Sequence, residues 1–205
     1  MEDVAGVLLA GGQARRMGGG DKCLKPIGDR PILSYIIDRV TPQVSTLVLN
    51  ANGDAARFSD FKLPVRADSI EGFAGPLAGV LTGMDWVIEN TPHCNWILTV
   101  PTDAPFLPLD LCDRLRKAID SENSDMARAA SGGRVHPVVG LWPVSLRDDL
   151  HAAMTEDNIR KVDRWTARYS VSDVDFSTVP VDPFFNANTP EDIARAESLL
   201  NGIAG

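Results

Sequence analysis

The stretch VAGVLLAGGQARRMGGGDK, residues 4–22, decides the fold of this chain. Its first seven residues (4–10) are continuously apolar, which is the pattern of a parallel strand buried on both faces. The segment after them contains five glycines, two arginines and a lysine. Glycines let backbone N–H groups approach a phosphate without interference from a Cβ. The stretch therefore predicts a buried strand that leads into an anion-binding loop.

Working outward from this stretch, strands and helices alternate over about the first 120 residues. Strands are predicted at 46–50 (TLVLN), 63–68 (LPVRAD) and 96–100 (WILTV), and helices at 31–42, 76–89 and 109–119. This alternation is typical of a doubly wound α/β fold with a mostly parallel sheet and right-handed crossovers.

The second half of the chain is less regular. We predict a strand at 136–143, a helix at 145–154 and a further strand region at 168–176. A closing helix is the clearest feature, because Thr189 is a good N-cap, Pro190 suits the first helical position and Asp192 stands three residues after the cap. We expect one domain over residues 1–205.

Composition and charge exclude several function classes. The net charge of -8 argues against nucleic acid or an anionic membrane as the main partner. The three cysteines are far apart and form no C-x-x-C pair, so neither a disulfide framework nor a zinc site is expected. The N-terminal segment has no basic region before its short apolar run, and no apolar run is long enough to span a bilayer. We expect a cytoplasmic protein.

Polar residues follow each of the predicted parallel strands. The Gly/Arg/Lys loop follows the first strand, Asn50 ends the second, Asp68 ends the third and Asp103 follows the fourth. Ligands of open α/β sheets bind beyond the carboxyl ends of the strands, so we expect these features to meet in one crevice.

The residue types in that crevice suit a Mg-nucleotide. Arg15, Arg16 and Lys22 supply positive charge to a polyphosphate. A carboxylate such as that of Asp103 would weaken anion binding unless it holds Mg²⁺, which prefers one or two carboxylates plus phosphate oxygens. The loop is not a Walker A motif, because Cys23 follows Lys22 where Ser or Thr would be needed.

Taken one by one, these features also have simpler interpretations. Asp103 and Asn50 could be turn residues, and the arginines could be solvated surface charges. His136, at the start of a predicted strand, is more often structural than ligand-binding. The occurrence of four polar features in order, all at one sheet edge, favours a functional site.

The motif LAGGQARRMGGGDK (9–22) resembles the signature of nucleotidyltransferases, and most closely that of the molybdenum cofactor guanylyltransferase family. The resemblance covers nearly the whole chain through further motifs, which are NAN (50–52), AD (67–68), GPLAG (75–79), PTDAPFLP (101–108), HP (136–137) and FNANTPED (185–192). It implies a Rossmann-like nucleotide-diphospho-sugar transferase fold with three α/β/α layers.

The resemblance also implies a reaction. Members of the family transfer GMP from GTP to the terminal phosphate of Mo-molybdopterin and release pyrophosphate. It implies that Mg²⁺ assists, with Mn²⁺ as an alternative, and that GTP and Mo-molybdopterin are the small-molecule partners. Transient contacts with proteins that make or receive the cofactor, and a monomer or weak homo-oligomer, are further expectations.

The resemblance assigns roles by motif position. About 1–120 would bind GTP and the metal, and about 121–205 would face the acceptor. The catalytic residues would be Arg16, Lys22 and Asp103, and Asp103 would hold the metal. Asn186 and Asn188 would lie on the pterin side. The GTP site would comprise Leu9, Ala10, Gly11, Gly12, Arg15, Lys22, Asn50, Asp68 and Asp103.

Two alternatives stay open at this point. A cytidylyltransferase for the same pterin cofactor, or a sugar-nucleotide pyrophosphorylase, would share most of these residues. Cytidine-using relatives typically have LAAG where this chain has LAGG, so Gly12 and its neighbours favour guanine. A regulatory module that binds nucleotide without catalysis is the other alternative. It would be expected to lack the lysine or the metal carboxylate, whereas Lys22 and Asp103 are both present.

Overall fold

The computed structural model describes residues 3–11, 21–70, 72 and 75–203, apart from the side chains of 201 and 203. One seven-stranded sheet runs through it in the order β5-β4-β1-β6-β8-β7-β9. Its strands are β1 (Val4–Leu9), β4 (Thr46–Asn50), β5 (Val65–Arg66), β6 (Trp96–Pro101), β7 (Met126–Ser131), β8 (Arg134–Pro143) and β9 (Val171–Phe176). A separate short hairpin is formed by β2 (Pro26–Ile27) and β3 (Arg30–Pro31).

The sheet is mostly parallel. Strands β5, β4, β1 and β6 pair in parallel, as do β7 and β9, whereas β8 is antiparallel to both of its neighbours. The carboxyl ends of β1, β4 and β6 therefore lie side by side at one edge.

Helices cover both faces of the sheet. The helices are α1 (Ile32–Val40), α2 (Pro76–Asn90), α3 (Leu111–Glu122), α4 (Arg147–Thr155), α5 (Val162–Thr166) and α6 (Pro190–Ile203). Buried side chains of α1, α3 and α6 belong to one hydrophobic cluster, and those of α2, α4 and α5 belong to another. Strand β1 serves both clusters, since Val4 and Leu8 face the first while Ala5 and Val7 face the second. This alternation explains the continuous apolar run of its sequence.

The predicted α/β fold with three layers is confirmed, and most predicted elements occur where expected. The strand expected at 63–68 is shorter, because pairing with β4 covers only Val65 and Arg66. Pro64 contributes only its carbonyl, which accepts from the N–H of Leu49 at 2.9 Å, because proline has no N–H to donate.

Two elements of the second half were not predicted from sequence. Strand β7 has the sequence MARAAS, which lacks β-branched residues, and it is held by its two neighbours rather than by propensity. The Gly132–Gly133 pair was the available signal, because both residues have the positive φ of a tight hairpin turn between β7 and β8. The short helix α5 was the other omission.

The C-terminal helix begins as its sequence predicts. The hydroxyl of Thr189 accepts from the backbone N–H of Asp192, and the Asp192 carboxylate accepts from the N–H of Thr189, which completes a reciprocal cap. Within the described part of the chain, no helix combines the length and apolar character needed to cross a membrane.

Candidate active site

A cleft of about 350 Å³ opens where the carboxyl ends of β1, β4 and β6 meet. The last residue of each of these strands lines it, as the rule for open α/β sheets predicts. The lining residues are Leu9, Gly11, Lys22, Asn50, Asn52, Asp68, Gly75, Pro76, Pro101, Thr102, Asp103 and Val138. The structure thus brings together four predicted polar site residues from separate segments of the chain, namely Lys22, Asn50, Asp68 and Asp103.

At one side of the cleft, Lys22 joins the two halves of the chain. Its ammonium lies 2.7 Å from Oδ2 of Asp103, and it also donates to Oδ1 of Asn188. The Lys22 and Asp103 side chains are only 16% and 21% exposed, so this ion pair is less screened by solvent than a surface pair. A predicted phosphate contact, a predicted metal ligand and a predicted pterin-side residue therefore meet at one point.

The segment around Asn188 is fixed by its backbone. The N–H of Ala187 donates to the carbonyl of Asp103 at 2.9 Å, and the Ala187 side chain is fully buried. Since successive side chains of an extended segment point to opposite sides, Asn186 and Asn188 point away from that core. Asn188 reaches Lys22, and neither asparagine is among the residues that line the cleft.

At the opposite side of the cleft, two amides hold one carboxylate. Asn50 Nδ2 donates to Asp68 Oδ1 at 2.9 Å, and Asn52 Nδ2 donates to Asp68 Oδ2 at 2.7 Å. Asn52 Oδ1 in turn accepts from the Asp68 N–H at 2.8 Å. These bonds fix the two amides and the carboxylate relative to one another.

Helix α2 approaches the Asn50 side of the cleft very closely. A Cβ at Gly79 would lie 2.5 Å from Asn50 Oδ1 and 2.6 Å from Leu9 Cδ2, so a side chain there would displace both. Gly75, which precedes the helix, has a φ of 132° and lines the cleft. The two glycines of the GPLAG motif therefore have separate causes, since Gly79 is required by close approach and Gly75 by its positive φ.

Other predicted residues fall into three groups. Leu9 and Gly11 line the cleft, while Ala10 is buried and its N–H donates to the carbonyl of Asn50 at 2.9 Å. The predictions for Gly12, Arg15 and Arg16 lie outside the described residues. Lining residues without a role in the sequence-based prediction are Asn52, Gly75, Pro76, Pro101, Thr102 and Val138.

Most of these additional residues stand within motifs that carried the resemblance, so the motif boundaries were the available signal. Val138 is different. Strand β8 carries extra residues opposite β7, because Gly140 pairs with Arg128 while His136 pairs with the next residue, Ala129. The resulting bulge contains Val138, and a hydrophobic residue in a strand gives no sign of such a position.

His136 lies in a polar network of its own. The Ser131 hydroxyl donates to Asp182 Oδ1 at 2.9 Å and lies 2.8 Å from His136 Nε2. Because that hydroxyl has one proton, His136 Nε2 must be the donor in their contact. Burial lowers the pKa of His136 below its usual value of 6.5, with Asp182 opposing and Arg134 adding to this effect. These contacts agree with the structural interpretation of His136.

The donor set of the cleft fits a divalent ion that arrives with a nucleotide. Among the described residues, no three His, Cys, Asp or Glu side chains converge into a protein cage for a metal. Asp103 instead offers one carboxylate beside Lys22. Mg²⁺ is typically bound in this way, through one or two carboxylates and the phosphates of the substrate.

A model of the MobA-like NTP transferase domain matches residues 6–171 of the sequence. The chain belongs to this family. A relative from Rhodopseudomonas palustris (strain HaA2), named molybdenum cofactor guanylyltransferase, is 56% identical over 193 residues, which is 94% of this chain and 90% of the relative. The family resemblance inferred from the sequence motifs is thus confirmed, and the chain is a nucleotidyltransferase.

Two solved structures share the fold of this MobA-like chain. One is a molybdopterin-guanine dinucleotide biosynthesis protein A from Archaeoglobus fulgidus, with a TM-score of 0.74, 21% identity and coverage of 97% of this chain and 99% of that one. The other is a Mycobacterium tuberculosis H37Rv protein in complex with manganese, with a TM-score of 0.66, 19% identity and coverage of 96% and 98%. Both confirm the Rossmann-like architecture of the family.

Proposed function

We propose that this MobA-like transferase moves GMP from GTP to the terminal phosphate of Mo-molybdopterin and releases pyrophosphate. The observation that carries the proposal is the meeting of Lys22, Asp103 and Asn188, which joins the nucleotide side of the cleft to the segment expected to face the acceptor. The curated name of the 56% identical relative supports the same reaction.

The chemistry requires little from a protein nucleophile. The acceptor is a phosphate monoester and is already anionic, so one of its oxygens can attack the α-phosphorus of GTP directly. The bond from the α-phosphorus to the bridging oxygen breaks, and pyrophosphate leaves with the electron pair. No covalent enzyme intermediate is needed. The main obstacle is repulsion, since two unit charges about 4 Å apart repel by about 4 kcal/mol at an effective dielectric constant of about 20.

The residues of the cleft can reduce this obstacle by charge and by position. Lys22 is the cation among the described lining residues, and it lies next to both Asp103 and Asn188. We assign it to the triphosphate, where its charge would offset the repulsion between donor and acceptor. Holding the two phosphates in line is expected to supply most of the remaining acceleration.

We propose Asp103 as the protein ligand of Mg²⁺. When bound, the ion would supply positive charge to the phosphate oxygens and to the departing pyrophosphate. The manganese complex of the Mycobacterium tuberculosis relative supports a divalent ion in this fold and is compatible with Mn²⁺ as a substitute.

The opposite side of the cleft is proposed to read the base. The Asn50 and Asp68 side chains are already bonded to each other, and both residues line the cleft. We also propose that residues 1–120 bind nucleotide and metal while residues 121–205 face the pterin. The expectations of a cytoplasmic location, of transient protein contacts and of a monomer or weak homo-oligomer stay predictions.

The decisive experiment is a nucleotide panel. GTP, CTP, ATP and UTP would each be supplied with Mg²⁺ and a molybdopterin source, and formation of the dinucleotide product would be measured. We expect turnover with GTP, and Asp103→Ala is expected to remove it. A clear preference for CTP would refute the guanylyl assignment, and undiminished turnover by Asp103→Ala would refute the metal assignment.

A further inference from the structure

Arg57 makes a cluster of contacts that the proposed reaction does not use. Its Nε lies 2.5 Å from Asp21 Oδ2, and its Nη2 lies 3.4 Å from Asp21 Oδ1 and 2.6 Å from the carbonyl oxygen of Asn52. It also donates to the carbonyl of Asp54 and packs over the ring of Phe58, 4.5 Å from its centroid. One guanidinium therefore holds three separate points of the chain.

These points belong to the two sides of the cleft. Asp21 directly precedes Lys22 and occupies the N-cap position of the short 3-10 helix Lys22–Leu24, where its backbone carbonyl accepts from the N–H of Leu24 at 3.2 Å. The position of Asp21 therefore constrains the position of the Lys22 backbone. Asn52, whose carbonyl Arg57 holds, binds Asp68 through its side chain. Arg57 itself does not line the cleft.

We propose that Arg57 is a positioning residue that couples the phosphate side of the cleft to its base side. The inference rests on the proposed nucleotide-binding function of the cleft and adds to it a route by which Lys22 and Asn52 influence each other. When the triphosphate binds Lys22, the Asp21–Arg57 ion pair restricts the movement of the Asn52 carbonyl. The side chain of Asn52 therefore keeps its position on the base side of the cleft.

The geometry calls for arginine in particular. A planar guanidinium can serve a carboxylate and two carbonyls at once in fixed directions, whereas a lysine ammonium is a point charge on a flexible stem. The Arg57 and Asp21 side chains are 27% and 21% exposed, so the pair is partly protected from solvent. The link is therefore stiffer than a surface ion pair, which typically contributes little.

The chain contains a matched control for this arrangement. Arg30 also pairs with an aspartate, at 2.8 Å from Asp38, and also packs over an aromatic ring, 5.0 Å from the Tyr35 centroid. It is more exposed and does not line the cleft. Arg30→Met therefore removes the same kinds of contact without touching the link between the two sides.

The test is a double-mutant cycle between Lys22→Met and Asn52→Ala, read as the Kd of Mg-GTP measured by calorimetry. In the parent protein, we expect the Kd of the double mutant to differ by about fivefold from the value that the two single mutants predict, as coupled residues do. In the Arg57→Met background, we expect this difference to be less than about twofold. In the Arg30→Met background the deviation should persist. An equal deviation in the Arg57→Met background would overturn the proposal.

Simpler variants keep the test independent of folding problems. Arg57→Met alone is expected to raise the Kd for Mg-GTP by about tenfold, since it removes several charge-assisted bonds. Asp21→Ala removes only the phosphate-side partner of Arg57 and should also abolish the coupling. If the parent protein prefers CTP, the guanylyl assignment fails, and the same double-mutant cycle is run with CTP. Loss of coupling in the Arg57→Met background would then still support the positioning role of Arg57. Coupling that persists in that background would refute this role.

Discussion

Substitution of Gly79 by alanine tests the role of Asn50, although it also displaces the side chain of Leu9. The added methyl group would lie 2.5 Å from Asn50 Oδ1, so the amide must move. Moving it breaks the 2.9 Å bond to Asp68 and the 3.3 Å bond to the carbonyl of Arg66. Because Asn50 is only 5% exposed, little space is available for a new position.

The expected magnitudes follow from opposing terms. Overpacking lowers the free energy of unfolding by about 1–3 kcal/mol, whereas replacing glycine by alanine inside a helix raises it by about 1 kcal/mol. The free energy of unfolding should therefore fall by about 0–2 kcal/mol, which lowers Tm by no more than about 8 °C for a chain of this size. Binding should suffer more, because disruption of the Asn50–Asp68 pair is expected to raise the Kd for Mg-GTP by about 10–100-fold.

The control is Gly83→Ala, one turn further along the same helix. Its methyl group would lie 2.6 Å from Cγ2 of Val7, a fully buried and rotationally restricted side chain of β1. Gly83→Ala should lower Tm at least as much as Gly79→Ala does. Its Kd for Mg-GTP should stay within about twofold of the parent value, because Asn50 is not displaced. We would measure Tm by calorimetry and Kd by titration for both proteins. If Gly79→Ala and Gly83→Ala bound Mg-GTP with equal Kd values, the base-side role of Asn50 would be refuted.

Three further predictions concern the rest of the chain. Because burial lowers the folded-state pKa of His136, with Asp182 raising it and Arg134 lowering it, the histidine's contribution to stability should be complete above pH 6.5 and decline as the pH falls toward the folded-state value. Urea unfolding from pH 8 to pH 5 should show a smaller decline for His136→Gln, and an identical decline would contradict this. Burial raises the pKa of Cys23 and Cys112 to about 11. At pH 8 these two thiols should therefore resist alkylation by iodoacetamide in the native protein and react quickly in the unfolded protein. Modification of either thiol within minutes in the native protein, detected by mass spectrometry, would refute this. Thr189→Ala removes the cap of α6 and should lower the free energy of unfolding by about 0.5–2 kcal/mol, while Thr189→Ser should retain it; equal losses for both variants in denaturant titrations would disprove the capping role.

The sequence predicted those parts of the site that follow from the geometry of parallel sheets. Asn50 and Asp103 stand at the ends of strands whose apolar runs are unmistakable, and parallel strands present their carboxyl ends at one edge. Their convergence needed no knowledge of side-chain packing. The capped start of α6 was predictable for a similar reason, because capping is local.

Other features depend on contacts between distant segments. Lys22 and Asn188 are 166 positions apart, and the residues alone do not indicate that one accepts a hydrogen bond from the other. The link from Arg57 to Asp21 spans 36 positions and is of the same kind. In these cases the sequence supplies the donors and acceptors, whereas tertiary packing selects their partners. The prediction that Asn186 and Asn188 lie on the pterin side rests on the family resemblance, since no rule of local structure would have indicated it.

The charge balance of the cleft bears on the proposed roles of the metal ion and of Arg15 and Arg16. Among the described lining residues, one cation, Lys22, stands against the two carboxylates of Asp68 and Asp103. A triphosphate that enters such a cleft meets net negative charge, and burial of unpaired anions is costly. The Asp68 carboxylate accepts hydrogen bonds from the amides of Asn50 and Asn52, so its negative charge is already stabilised. Asp103 is matched by Lys22 itself, and once that lysine turns to phosphate the carboxylate requires another cation. The proposed Mg²⁺ at Asp103 and the predicted contributions of Arg15 and Arg16 are therefore not redundant, because the lysine cannot neutralise both the carboxylate and the triphosphate.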